Sequence, residues 1–215
     1  MASRSAGKET VLYVVRHGET EWNTRGIQQG HLDSPLTATG VRQARGVAKG
    51  LVGRGIDAIF SSDLGRARTT ADIIAKEIGF EVVDDKRLRE RNLGTIEGMT
   101  QEDFRLRYPE EFASYKSRDP EYAFPGGEGT TEFYQRSING CNSIAEKNSG
   151  HTILLVTHGG VLGALMTYVL DLGVGSVRRF SLYNAAINRF IVRRDEWRLD
   201  TWGEVSHLEQ TIDDR

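Results

Sequence analysis

Apolar and polar positions follow two rhythms along this chain. Unbroken apolar runs stand at Val11-Leu12-Tyr13-Val14-Val15 and Ile153-Leu154-Leu155-Val156, the form a strand takes when both faces of its sheet are covered. Shorter strand-like pieces occur at Ala58-Ile59-Phe60 and Glu81-Val82-Val83. Two late ones, near Ala186–Val192 and Trp197–Thr201, are predicted to pair as a hairpin through Arg194-Asp195-Glu196. Helical spacing intervenes. Ala44, Val47, Ala48 and Leu51 mark a helix over Thr39–Leu51, and Leu64, Ala67, Ala71, Ile74, Ala75 and Ile78 form a single stripe over Leu64–Ile78. Asp63 reads as the cap of that second helix and Gly79 as its stop. A further helix is expected over Val161–Leu170. Strand and helix in alternation predict an α/β fold with a mainly parallel sheet. From Leu88 to Gly150 the rhythm breaks: helical pieces around Gln101–Tyr108 and Thr130–Lys147 are joined by a link containing Pro120, Pro125, Gly126 and Gly127. This stretch is expected to be a helical insertion, about 88–150, capping the sheet of a single domain spanning 1–215.

Composition narrows the classes. A length of 215 residues suffices for one well-buried core, and a formal net charge of −2 gives no global basic field to draw in a nucleic acid. Cys141 is the lone cysteine, which rules out a disulfide framework or a cysteine-based zinc site within one chain and suits a reducing compartment. No apolar run approaches the ~20 residues of a membrane span, and Met1–Lys8 lacks the apolar core of a secretory signal. A cytoplasmic protein without nucleic-acid or membrane partners is expected, with frayed ends at Met1–Lys8 and from Gln210. The oligomeric state, monomer or homodimer, stays open.

The candidate chemistry sits where strands end. Both long apolar runs deliver a histidine followed by glycine, as Arg16-His17-Gly18 and as Thr157-His158-Gly159-Gly160. Ligands of open α/β sheets bind outside the carboxyl ends of strands, so the two histidines are candidates for one site. Arg16 beside His17 favours an anion, because a guanidinium matches phosphate oxygens in bidentate fashion. Gly18 is expected to let a ligand approach the backbone. Arg66, at the start of the Leu64–Ile78 helix, again falls near the carboxyl edge, where helix N-termini attract anions. Taken alone it is as readily a surface arginine, which is how Arg68 reads. Glu90, within Lys86-Arg87-Leu88-Arg89-Glu90-Arg91, is by itself better explained as a surface ion-pair partner than as a general acid.

Four segments together resemble the histidine phosphatase superfamily, also called phosphoglycerate mutase-like proteins. They are Arg16-His17-Gly18-Glu19-Thr20-Glu21-Trp22-Asn23, Ser61-Ser62-Asp63-Leu64-Gly65-Arg66-Ala67-Arg68-Thr69-Thr70-Ala71, Leu88-Arg89-Glu90-Arg91-Asn92-Leu93-Gly94 with Glu97-Gly98 behind it, and Thr157-His158-Gly159-Gly160. They stand in the family's order and span nearly the whole chain. The resemblance implies a three-layer αβα sandwich. It implies His17 as the nucleophile that becomes phosphohistidine, and Arg16, Arg66 and His158 as the pocket around the phosphoryl group. Glu90 would protonate the leaving oxygen, and Asn23, Gln29, Gly30, Gly159 and Gly160 would line the substrate side. The implied substrate is a small phosphorylated metabolite, and no metal or cofactor is implied. Arginines and a histidine supply what phosphoryl transfer needs, which is positioning and electrostatic stabilisation.

Hydrolysis and mutase chemistry share the phosphohistidine. Mutases of this family carry extra cations after the acid loop for a second phosphate. Here Met99-Thr100-Gln101-Glu102-Asp103 is neutral then acidic, and Lys116 and Arg118 include no adjacent arginine pair. The segments Phe124-Pro125-Gly126-Gly127-Glu128 and Trp202–Leu208 also resemble the phosphatase branch, so a phosphomonoesterase is expected, with a cofactor-dependent phosphoglycerate mutase as the alternative. A zinc set of His17, His158 and Glu90 is disfavoured by the two flanking arginines. A non-catalytic phospho-ligand binder is disfavoured by the presence of both His17 and Glu90. Tyr115, Arg118, Tyr122 and Phe124 are expected to set specificity.

Overall fold

The structure is a computed structural model describing residues 8–117, 119–194 and 196–209. The expected frayed ends, apart from Lys8, lie outside the described residues, as do Arg118 and the turn residue Asp195.

Among the described residues a six-stranded sheet has the order β3-β2-β4-β1-β5-β6. Its strands are β1 (Thr10–Arg16), β2 (Ala58–Ser61), β3 (Val82–Asp84), β4 (Thr152–Thr157), β5 (Ile187–Arg193) and β6 (Glu196–Glu204). The first four in chain order run parallel, β5 is antiparallel to β1, and β6 closes the expected hairpin. The two apolar runs are direct neighbours: Arg16 is in register with Thr157, and the His17 amide donates to the Thr157 carbonyl at 2.9 Å.

Strands β1 and β4 alternate their side chains between two cores. Tyr13, Val15, Leu154 and Val156 pack with Val47, Ala48 and Leu51 of α2 (Ala38–Leu51) and with Ala67, Ala71, Ile74 and Ala75 of α3 (Gly65–Ile78). Leu12, Val14, Ile153 and Leu155 pack on the other face with Ile138, Cys141 and Ile144 of α6 (Thr130–Lys147) and Val161, Leu162 and Leu165 of α7 (Gly159–Val169). The three-layer αβα arrangement is therefore present. Cys141 belongs to this core, and burial pushes its thiol up to about 12.

Several expectations change in detail. Thr37, not Thr39, opens α2, its hydroxyl accepting the Gly40 amide. Asp63 does not cap α3; Leu64 holds that position without a side-chain bond, because the Asp63 carboxylate is held by Arg89 at 2.6 and 2.5 Å. Gly79 does stop α3, at φ 80°. Although α6 was expected within the insertion, its apolar stripe lies on the sheet. The part that stands off the sheet carries α4 (Gln101–Arg107) and α5 (Pro109–Ser117) and a separate cluster of Ile96, Phe104 and Phe124. The pattern missed α5, which buries no residue and so shows no apolar stripe, and also the single turn α1 (Glu21–Thr24). Among the described residues no helix is long and apolar enough to cross a membrane.

Candidate active site

The parallel β1–β4 pair sets the site. Both strands end at the same level, so His17 and His158 meet with ring centroids 5.3 Å apart. They are 3% and 0% exposed. The Nδ1 of His17 donates to the Gly18 carbonyl at 2.8 Å, which leaves Nε2 with a free lone pair. Burial, and then the positive charges of Arg66 and Arg16, hold the His17 imidazole well below 6.5, so it is neutral near pH 7. His158 is depressed for the same first reason, burial, with Arg66 next.

Arg16 donates to the Leu182 carbonyl. Arg66, 2% exposed, donates to the carbonyls of Gly30 and Leu32 at 2.8 and 2.9 Å and to Asp33 at 3.0 Å. Arg66 is therefore not a surface arginine: its guanidinium ties α3 to the 30–33 loop. Burial lowers the Arg66 pKa and Asp33 opposes that. The Glu90 carboxylate accepts the amides of Arg91 at 2.8 Å and Gly160 at 2.9 Å. A Cβ on Gly160 would stand 2.0 Å from Glu90 Oε1, so only glycine lets the carboxylate lie against the start of α7.

One cavity of about 1320 Å³ is lined by Arg16, His17, Asn23, Gln29, Gly30, Arg66, Glu90, Gly159 and Gly160. The sequence-derived residues therefore converge, with two exceptions. His158 is not on the cavity wall; it lies behind His17, with Nε2 at 2.8 Å from the Ser62 hydroxyl. That hydroxyl also accepts the Leu64 amide at 3.3 Å, which ties His158 to the turn that opens α3. Gly18 does not open the backbone to a ligand either. A Cβ there would meet the Gly40 carbonyl oxygen at 2.6 Å, so the glycine serves the packing of β1 on α2. The side chains of Asn23 and Gln29 brace their own loop as well as lining the cavity. Asn23 Oδ1 accepts from Thr20, and Gln29 Nε2 donates to the Thr20 hydroxyl at 3.0 Å.

Sequence reasoning missed the support behind β1. Asn184, 0% exposed, donates to the His17 carbonyl at 2.9 Å, and the Ala185 amide donates to the Arg16 carbonyl at 3.0 Å. His207 holds the Ala185 carbonyl at 2.9 Å, and Trp202 holds that of Ser181 at 3.0 Å. The Trp202–Leu208 segment thus braces the loop that braces His17. Asn184 had one legible signal, an amide side chain three residues ahead of a buried strand. Among the described residues no three His, Cys, Asp or Glu side chains cluster as metal ligands.

Comparison with known proteins agrees with this geometry. The chain is 41% identical over 208 residues to a probable phosphoglycerate mutase GpmB of Proteus mirabilis, covering 92% of this chain and 94% of that protein. Its fold matches Bacillus stearothermophilus YhfR with a TM-score of 0.86 at 35% identity, covering 93% of this chain and 100% of the other. It also matches a mutant phosphoserine phosphatase of Entamoeba histolytica, solved in complex with phosphoserine, with a TM-score of 0.83 at 31% identity and coverage of 93% and 99%. With the profile of branch 1 of the histidine phosphatase superfamily matching residues 12–205, the chain belongs to that superfamily.

Proposed function

We propose that this chain hydrolyses phosphomonoesters of small metabolites through a phosphohistidine on His17, without a metal. The observation that carries this reading is the state of His17: neutral, oriented by the Gly18 carbonyl, and set beside Arg16 and Arg66 at the cavity. In the first step the His17 Nε2 lone pair forms the N–P bond as the ester P–O bond breaks, and Glu90 gives its proton to the leaving oxygen. In the second step water attacks phosphorus, Glu90 takes a proton from it, the N–P bond breaks, and phosphate leaves. Arg66 Nε and His158 Nδ1 are buried and lack hydrogen-bond partners among the described residues. Such orphaned polar groups call for an explanation, and phosphoryl oxygens are suited to Arg66. The buried Cys141 fits a reducing, cytoplasmic setting.

Acid-labile radiolabel from a phosphomonoester should be trapped on His17 when turnover is quenched, and His17→Ala should trap none. Full activity in EDTA is expected. Turnover with the label on another residue would falsify the assignment.

A second reading, phosphoglycerate mutase, is favoured by Arg178 and Arg179. This adjacent cationic pair, absent from the segment after the acid loop, reaches the cavity from the loop after α7. Efficient interconversion of 3- and 2-phosphoglycerate, stimulated by 2,3-bisphosphoglycerate, would select it. Against it, Arg91 is engaged by the Glu128 and Tyr122 carbonyls, and Lys116 lies over the rings of Phe112 and Tyr115.

A further inference from the structure

The acid loop is held from behind by a side chain that does not line the cavity. Arg136, on α6, has a guanidinium with five N–H donors, and the structure gives each an acceptor. Nη1 donates to the carbonyls of Arg87 and Arg89 at 2.8 and 3.0 Å. Nη2 donates to the Glu90 carbonyl at 3.1 Å and to Glu128 Oε2 at 2.7 Å. Nε donates to Glu128 Oε1 at 2.7 Å. The Glu128 carboxylate also accepts the Asn92 amide at 2.9 Å, and the Glu128 amide donates to the Asn92 carbonyl. The pair therefore grips the backbone on both sides of Glu90. Further bonds complete the grip: His31 Nε2 to the Glu90 carbonyl at 2.9 Å, and the Thr157 hydroxyl to the Leu88 carbonyl at 2.7 Å. Without them the 87–92 segment, which is largely irregular, would have few fixed points. A carboxyl group that must deliver a proton to one oxygen needs such fixation, because small misplacements can cost about 10²-fold in rate.

We propose that Arg136 and Glu128 are positioning residues for Glu90, setting its carboxylate against the Gly160 amide and the leaving group. The inference rests on the proposed general-acid role of Glu90. The pair also couples the acid to the substrate wall. Arg91 donates to the Glu128 and Tyr122 carbonyls and lies 5.0 Å from the Phe124 ring centroid, and Arg91, Tyr122 and Phe124 all face the cavity. An occupant that presses on this wall presses on the same clamp. The ion pair is partly open to solvent, with side chains 21% and 14% exposed, so substitution does not hollow the core.

The test compares Arg136→Lys, Glu128→Gln and Glu90→Gln on an alkyl phosphate and on p-nitrophenyl phosphate. Lysine has three donors on a point charge and cannot serve these acceptors in a planar fork. Glu128→Gln keeps its shape and remains a second probe should Arg136→Lys fold poorly. For Arg136→Lys we expect kcat/KM on the alkyl ester, which reports the first step and not the shared hydrolysis of phosphohistidine, to fall about 10²-fold, with a much smaller loss on the aryl ester, whose leaving group departs without a proton. Equal losses on both esters, or none, with Glu90→Gln still discriminating between them, would overturn the positioning role alone. Equal losses in Glu90→Gln would remove the general-acid reading and this inference with it.

Discussion

The two walls of the cavity are built differently. At the sheet edge Arg16, His17 and Arg66 on the wall, and Ser62, His158 and Asn184 behind it, are all buried, and most of their polar atoms bond to main chain or to one another. On the opposite wall Glu90, Arg91 and Tyr122 are half-buried, Tyr115 is exposed, and α5 buries nothing. The apolar support there is a small cluster around Phe104 and Phe124. On the proposed function the phosphoryl group is the same in every substrate, so its wall can be rigid and deep. The organic part varies, and its wall is shallow and aromatic. Substitutions at the edge should therefore change the rate on all substrates, whereas those across the cavity should change their ranking.

The largest effect expected on this contrast is at Arg66. Arg66→Met should lower kcat by about 10²–10³-fold, uniformly over alkyl and aryl phosphates in steady-state assays. A loss confined to one substrate would erase the distinction between the walls.

Next comes the response to acid. His17 and His158 are held neutral in the fold, while the unfolded chain protonates them near 6.5. As pH falls below about 6.5 the unfolded state binds more protons, so stability present above that value is lost, at up to about 2.7 kcal/mol per pH unit for two groups. Denaturant titrations between about pH 7 and about pH 5 should show this slope, and His158→Gln should reduce it by about half. A slope unchanged by that substitution would mean that the buried edge is not what responds to acid.

The smallest effect is expected at Phe124→Leu, which should lower stability by about 1 kcal/mol. It should also shift relative kcat/KM among phosphate esters by about 10-fold, with phosphohistidine formation from p-nitrophenyl phosphate retained. A uniform loss on all esters would place Phe124 with the catalytic wall.

Much of the edge was legible in the sequence. The two apolar runs ending in His-Gly, the stripe of α3 carrying Arg66 on its first turn, and the Gly79 stop are local patterns, and local patterns follow from strand and helix periodicity. Local periodicity does not fix strand order. Nothing in residues 11–17 alone requires β4 as neighbour, yet that pairing is what joins His17 to His158. The sequence likewise showed that Asp63, Glu128, Arg136 and Asn184 carry hydrogen-bonding side chains without showing their partners. Asp63 reads as a cap until Arg89 arrives from the acid loop, and Gly18 reads as a ligand approach until α2 packs against it. The chain by itself determined which chemical groups stand at the ends of its strands, because side-chain periodicity is set within a few residues. The tertiary structure decided which of them meet and what holds them, because those bonds join residues far apart in sequence that only the folded sheet brings together.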